Sequence, residues 1–221
     1  MSPEATRRGI PFVVSAVSGT GKTTVCHRLI ERNRERGGPP LSFSVSHTTR
    51  RQRSEEREGV DYYFVSPEEF GGLVERDAFL EWAVYNGNCY GTSWSAIEEP
   101  LAQGNDVLLE IEVQGARQVR RRRKDARFLF LLPPSLAVLQ ERLRTRGTDT
   151  AEQIASRLER SREELAAAED FDYAVVNDEL EECVESVLAI IGAEHSGETE
   201  ALRRRFAPWA AVSALRGRGG G

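Results

Sequence analysis

Residues 16–23, Ala-Val-Ser-Gly-Thr-Gly-Lys-Thr, constrain this chain more than any other stretch of it. They follow the apolar run PFVVSAV (11–17), which reads as a buried strand, and lead into KTTVCHRLIERNRERG, where Val25, Leu29 and Ile30 share one helical face. A glycine turn between a strand and a helix aims successive backbone N–H groups, at the positive end of the helix dipole, toward one point in space. That point is a cradle for anionic oxygen. The spacing fits G-x-x-x-x-G-K-[ST] with Ala16 in place of the first glycine. It predicts phosphate on the N–H groups of Ser18 to Lys22, the Lys22 ammonium on the β and γ oxygens, and a Mg²⁺ ion on the Thr23 hydroxyl. Ala16, Val17, Ser18, Gly19, Thr20, Gly21, Lys22, Thr23 and Thr24 are therefore the candidate nucleotide-binding residues of the loop. An ordinary glycine turn capping a helix is the plain alternative, and the strand before it argues against that.

The rest of the chain alternates as such a loop requires. Strands are predicted at 41–46, 107–112, 128–132 and 172–176, and helices at 94–103, 115–123, 135–146 and 178–191, an order that builds a parallel sheet. A different texture fills 44–94. Alternation over 60–65, a helix over Pro67 to Arg76, and two strand-like runs (78–85 and 88–93) across Asn86-Gly87 predict a small, mostly β insert. The expected division is a core of 1–43, 95–144 and 170–195, an insert of 44–94, a charged helical arm of 145–169, and a disordered tail of 196–221 rich in Gly and Arg. With 221 residues, 39% apolar and 29% charged, this is one ordinary globular core carrying inserts.

Thirty basic against thirty-five acidic side chains give a net charge of −5, so no global positive field exists for nucleic acid and an anionic ligand must be held locally. The run Arg120 to Lys124 reads as a solvated helix end. Cys26, Cys89 and Cys183 form no paired motif, and His27, His47 and His195 no cluster, so neither a disulfide framework nor a zinc site is expected. The apolar stretch Ile10 to Val17 is too short to span a bilayer. A cytoplasmic protein without a membrane or nucleic-acid partner is the expectation. Composition says nothing of oligomeric state.

A second constellation is Thr48-Thr49-Arg50-Arg51-Gln52-Arg53 with Glu56 and Tyr62, where two guanidinium forks and a phenol suit a phosphate group. Several further strings accompany it: S-V-S-x-T-T-R-x-x-R (44–53), G-V-D-Y-x-F-V (59–65), L-E-W-A (80–83), N-x-Y-G-T (88–92), R-G-T-D (146–149) and V-N-D (176–178). Together with the phosphate loop, over about residues 10–191, they resemble guanylate kinase.

The resemblance implies an α/β fold, a P-loop NTPase-type parallel sheet core flanked by helices with a small mostly β GMP-binding insert and a helical lid. It implies transfer of the γ-phosphoryl group of ATP to GMP, and to dGMP, with Mg²⁺, in purine nucleotide metabolism. Ser46, Arg50, Arg53, Tyr62, Glu81, Tyr90, Gly91, Thr92 and Glu112 would hold GMP, with Arg53 and Tyr62 on its phosphate. The chemistry agrees: one carboxylate accepts from guanine N1–H and N2–H₂ side by side, which suits Glu81, and the Thr92 hydroxyl could donate to O6. Glu110 and Glu112, at the end of the VLLEIE strand, would reach a Mg²⁺-bound water or the base, with Glu112 standing where the family has Asp. Arg142, Arg146 and Arg157 would close on the transferring group beside Lys22, and Asn177 would lie on the adenine side or cap a helix. Glu55 and His47 depart from the family pattern. A catalytically dead scaffold module is a rival that the intact Gly21-Lys22-Thr23 disfavours. A kinase of another small phosphate ester is a second, disfavoured by Glu81 and Thr92 together.

Overall fold

The computed structural model describes residues 8–85, 87–145, 159, 161 and 163–217. They form two compact units that divide within the first strand, one comprising the chain up to Val13 with Gly38–Arg127, the other Val14–Gly37 with the chain from Phe128 on. The dividing strand is β1 (Pro11–Ala16), buried at every residue. In the first unit it adjoins β7 (Asp106–Glu110), which pairs in parallel with β2 (Leu41–Phe43). In the second it adjoins β8 (Arg127–Leu132), which pairs in parallel with β9 (Tyr173–Val176). The core sheet thus has the order β2-β7-β1-β8-β9. Unbroken apolar runs such as FLFLL are what a sheet covered on both faces requires.

The first unit carries a second sheet of order β4-β3-β6-β5, built from β3 (Ser46–Thr48), β4 (Tyr62–Phe64), β5 (Phe79–Tyr85) and β6 (Asn88–Ser93). β5 and β6 form an antiparallel hairpin. Phe70, on α2 (Pro67–Glu75), stacks on Phe79 at 4.6 Å. A capping box fixes the start of α2, with Ser66 accepting from the Glu69 N–H and Glu69 accepting from the Ser66 N–H. Two helices flank the strands of this unit, α3 (Ser95–Ala102) and α4 (Val113–Arg122).

In the second unit the loop after β1 enters α1 (Lys22–Glu35), which packs on α6 (Leu180–Ser196). α5 (Leu136–Thr145) follows β8. Residues 163–167 are helical and run through a 3-10 turn, Ala168–Asp170, into β9.

Four expectations are corrected. The strand expected over 41–46 is two strands in two sheets: Ser44 still donates its N–H to Leu108 of β7, and the chain then leaves for β3. The strand expected over 107–112 ends at Glu110, and Glu112 is the N-cap residue of α4. Arg123 is not solvated: it is 7% exposed, paired with Asp125 and Glu98. The tail is ordered through residue 217 as α7 (Glu200–Arg205) and α8 (Pro208–Gly217), because Val212 and Leu215 have a surface to bury against, formed by the 168–170 turn and β9. Arg146, Arg157 and most of the expected arm lie outside the described residues.

Candidate functional site

Period-two alternation sorts the insert into two faces. His47, Gly91, Trp82 and Phe79 share one, where the missing Gly91 side chain leaves room for the rings of Phe70 and Phe79 and His47 pairs across from it. Gly91 thus lies on the opposite face from the other strand residues expected to hold GMP. Ser46, Tyr62, Tyr90, Thr92 and Glu81 share that second face. Glu81 and Thr92 are direct cross-strand partners, 5% and 0% exposed. A carboxylate so buried needs donors. The Thr92 hydroxyl supplies one, donating to Glu81 Oε1 at 2.6 Å, and Ser46 Oγ lies 3.2 Å from Thr92 Oγ1. The Thr92 hydroxyl proton is directed at Glu81 here, and its lone pairs face Ser46.

Arg50 is held by a second carboxylate. Its two terminal nitrogens donate to Glu56 at 3.0 and 2.7 Å, and its guanidinium lies 5.5 Å from the Tyr62 ring and 5.8 Å from that of Phe64. Glu56 also accepts from the Arg53 N–H at 2.9 Å, and the Arg50 hydrogen bonds hold its carboxyl below the usual range. Tyr90 supports Arg50 from the other side and meets the Tyr62 ring edge-on at 6.0 Å. Arg53 keeps 65% of its side chain exposed. The cluster is a tightly held guanidinium beside an exposed one, with two phenols at hand, and this suits a dianionic phosphate. In the sequence Glu56 was legible only as a neighbour of the Arg-rich motif.

The loop of the second unit is held from behind. Gly21 has φ +92°, a conformation that glycine adopts at little cost, and a Cβ there would sit 3.2 Å from the Asn177 amide nitrogen. That amide is 6% exposed and donates to the Thr20 carbonyl at 2.7 Å. Asn177 thus braces the loop through one of its amide hydrogens. Arg142 does the same work, donating to the carbonyls of Thr20 and Asn177 at 3.4 and 3.2 Å, where it was expected over the transferring group. On the loop's open side the Ser18 N–H donates to the Glu164 carboxylate at 2.9 Å. An anionic oxygen thus occupies a donor that the motif reserves for phosphate. Nothing in the sequence pointed to Glu164.

Lys22 and Thr23 open α1, Ala16 and Val17 are buried at the end of β1, and Glu110 is half-buried at the end of β7. Among the described residues no three His, Cys, Asp or Glu side chains gather as a metal cage. The Thr23 hydroxyl at the start of α1 suits Mg²⁺, which takes few protein ligands and keeps phosphate oxygens and waters for the rest. No helix among the described residues is long and apolar enough to cross a membrane.

Comparison with known proteins identifies the family. The guanylate kinase family model matches residues 8–194. A guanylate kinase of Syntrophotalea carbinolica is 47% identical over 188 residues, 85% of this chain and 87% of that one. One from Thermus thermophilus is 51% identical over 187 residues, 85% and 82% of the two chains. Among solved structures, guanylate kinase from Anaplasma phagocytophilum superposes with a TM-score of 0.68 at 32% identity, covering 86% of this chain and 87% of its own. With the phosphate loop, the buried Glu81–Thr92 pair and the Arg50 cluster in place over the same span, this chain belongs to the guanylate kinase family.

Proposed function

We propose the following division of labour for a chain that transfers the γ-phosphoryl group of ATP to GMP, giving ADP and GDP. Glu81 accepts from guanine N1–H and N2–H₂, and Thr92 and Ser46 orient its carboxylate. The Arg50 cluster, with Arg53 and Tyr62, grips the GMP phosphate. Backbone N–H groups of residues 18–22 and the Lys22 ammonium receive the phosphates of ATP, braced by Asn177 and Arg142. Arg146 and Arg157 supply further positive charge as the group moves. The acceptor oxygen of a phosphate monoester is largely ionised near neutral pH, its second pKa being about 6, so no general base is needed. Catalysis reduces to positioning and charge neutralisation, which explains arginine and lysine where other transferases use histidine. Mg²⁺, held by Thr23 with Glu110 through water, would neutralise donor phosphate charge. The deoxy nucleotide dGMP is accepted as well, because the residues assigned to GMP read base and phosphate. A cytoplasmic location fits such a substrate pair.

The buried Glu81–Thr92 pair carries this reading. Its test is ATP consumption measured in parallel with GMP, dGMP, AMP, CMP and UMP, with Lys22→Met as control. GMP and dGMP should lead, and Lys22→Met should lower turnover by at least about 10²-fold while calorimetric GMP affinity stays near wild type. Equal use of AMP would remove Glu81 from base recognition.

A further inference from the structure

We propose that Gly115, on α4, is a specificity-determining residue of the GMP site, its missing side chain forming the slot in which the Glu81 carboxylate is seated. A Cβ at residue 115 would lie 2.4 Å from Glu81 Oε2 and 3.1 Å from its Cδ, with Ile111 Cδ1 at 3.5 Å. Glu81 is thereby set from two sides. The Thr92 hydroxyl holds Oε1 by a hydrogen bond of 2.6 Å, and the bare helix backbone leaves room for Oε2. The carboxylate plane, which decides whether both oxygens can face two neighbouring N–H donors, follows from the pair of constraints.

α4 cannot simply retreat from a larger side chain. One turn on from Gly115, Gln118 binds the backbone of Trp82, accepting from its N–H at 3.2 Å and donating to its carbonyl at 2.6 Å. One further turn on, Arg122 donates to the Phe79 carbonyl at 2.6 Å and to Asp77. Residues 115, 118 and 122 thus form one helix face clamped along β5, with Glu81 beneath its first turn. A methyl group at 115 is most cheaply relieved by swinging the far end of Glu81, which breaks no part of that clamp. The swing displaces the acceptor pair. Alanine is also the better helix former, which offsets the cost of moving the Glu81 carboxylate, so fold stability holds while base recognition loses.

This inference rests on the reading that Glu81 recognises guanine, and the experiment separates the two. Steady-state kinetics with GMP, AMP and ATP, with thermal unfolding alongside, would compare the full-length protein with Gly115→Ala, Glu81→Gln, Glu81→Asp and the double variant Gly115→Ala/Glu81→Asp. Gly115→Ala should lower kcat/KM for GMP by about 10- to 100-fold, chiefly through KM for GMP, with KM for ATP unchanged and Tm no lower than wild type. In the Glu81→Asp background the same substitution should cost much less, since a carboxylate one methylene shorter has left the slot. An unchanged KM for GMP in Gly115→Ala, or an equal penalty in both backgrounds, overturns the role of Gly115. If Glu81→Gln keeps the full preference for GMP over AMP, the reading of Glu81 itself falls, whatever Gly115 does.

Discussion

The half-sites proposed for the acceptor and for the donor are built on opposite plans. In the insert, side chains expected to touch GMP are already held by their neighbours: Thr92 holds Glu81, Glu56 holds Arg50, and Tyr90 supports Arg50. Around the phosphate loop, Asn177 and Arg142 hold the Thr20 carbonyl, and the one side chain on a loop N–H, Glu164 on Ser18, takes a place that the motif reserves for phosphate. Side chains carry chemical identity, so the acceptor half can distinguish one base from another. Backbone amides are common to every residue, so the donor half reads phosphate and depends on shape. Substitutions in the two regions should therefore have separable signatures, selectivity and KM for GMP in one, KM for ATP in the other.

The largest effect should come from removing the C-terminal helices, which belong to the donor unit. The carbonyl of Phe206 accepts from the N–H of Ala174 on β9, the outermost strand of the sheet. Arg203 pairs with Glu194, whose side chain is 2% exposed, and lies 5.2 Å from the Tyr173 ring. Val212 and Leu215 bury on the same edge, and two such side chains stabilise by about 3 kcal/mol. Truncation after Ser196 should lower Tm by roughly 6–12 °C and raise KM for ATP, since β9 leads directly to Asn177. Calorimetry and kinetics on the truncated chain check this. A rise in KM for GMP alone would break the comparison.

Next in size is Asn177. Replacing it by Ala removes one buried hydrogen bond to the Thr20 carbonyl, a loss of about 1–2 kcal/mol that should appear as a roughly tenfold rise in KM for ATP. Asn177→Asp should be worse, since a carboxylate places acceptor against acceptor. KM for GMP should stay unchanged in both. Equal kinetics in the Ala and Asp variants would mean that the amide does not brace the loop.

How much of this was legible in the sequence depended on how far away each residue's partner lies. The β1–loop–α1 unit was legible because strand, glycine turn and helix are contiguous. The β5–β6 hairpin was legible from Asn86-Gly87, and its Glu81–Thr92 pair from the motifs on either side of that turn. Asn177 was legible as a site residue, but its contact with Thr20 was not, nor was Glu164 at all, because their partners in the loop stand 157 and 146 residues away. The tail looked disordered by its Gly and Arg content, yet a few apolar residues suffice once a sheet edge is there to receive them. Glu112 left the expected strand because the chain turns into α4 after Ile111, and apolar periodicity does not mark where a strand yields to a helix.

The smallest effect is expected on the acceptor side, at His47. Its ring lies 4.9 Å from that of Tyr63 and 5.5 Å from that of Phe79, and its Nδ1 is buried with no hydrogen-bond partner among the described residues. Burial pushes its pKa below the ordinary 6.5, with the Glu58 carboxylate pulling weakly the other way. Between the lowered folded value and the ordinary unfolded one, the unfolded chain binds a proton that the folded chain refuses. The contribution to stability is therefore complete above about pH 6.5 and is lost as pH falls through that window. β3 places His47 next to Ser46, so the same protonation should loosen the base-reading face, raising KM for GMP as pH falls while KM for ATP holds. GMP titrates near pH 6 too, which His47→Phe controls for: the variant keeps the ligand's titration and loses the protein's. Urea unfolding and KM for GMP at pH 7.5, 6.5 and 5.5 should diverge between wild type and His47→Phe only at the acid end. Parallel profiles would show that His47 stays neutral throughout and serves the insert only as an aromatic filler opposite Gly91.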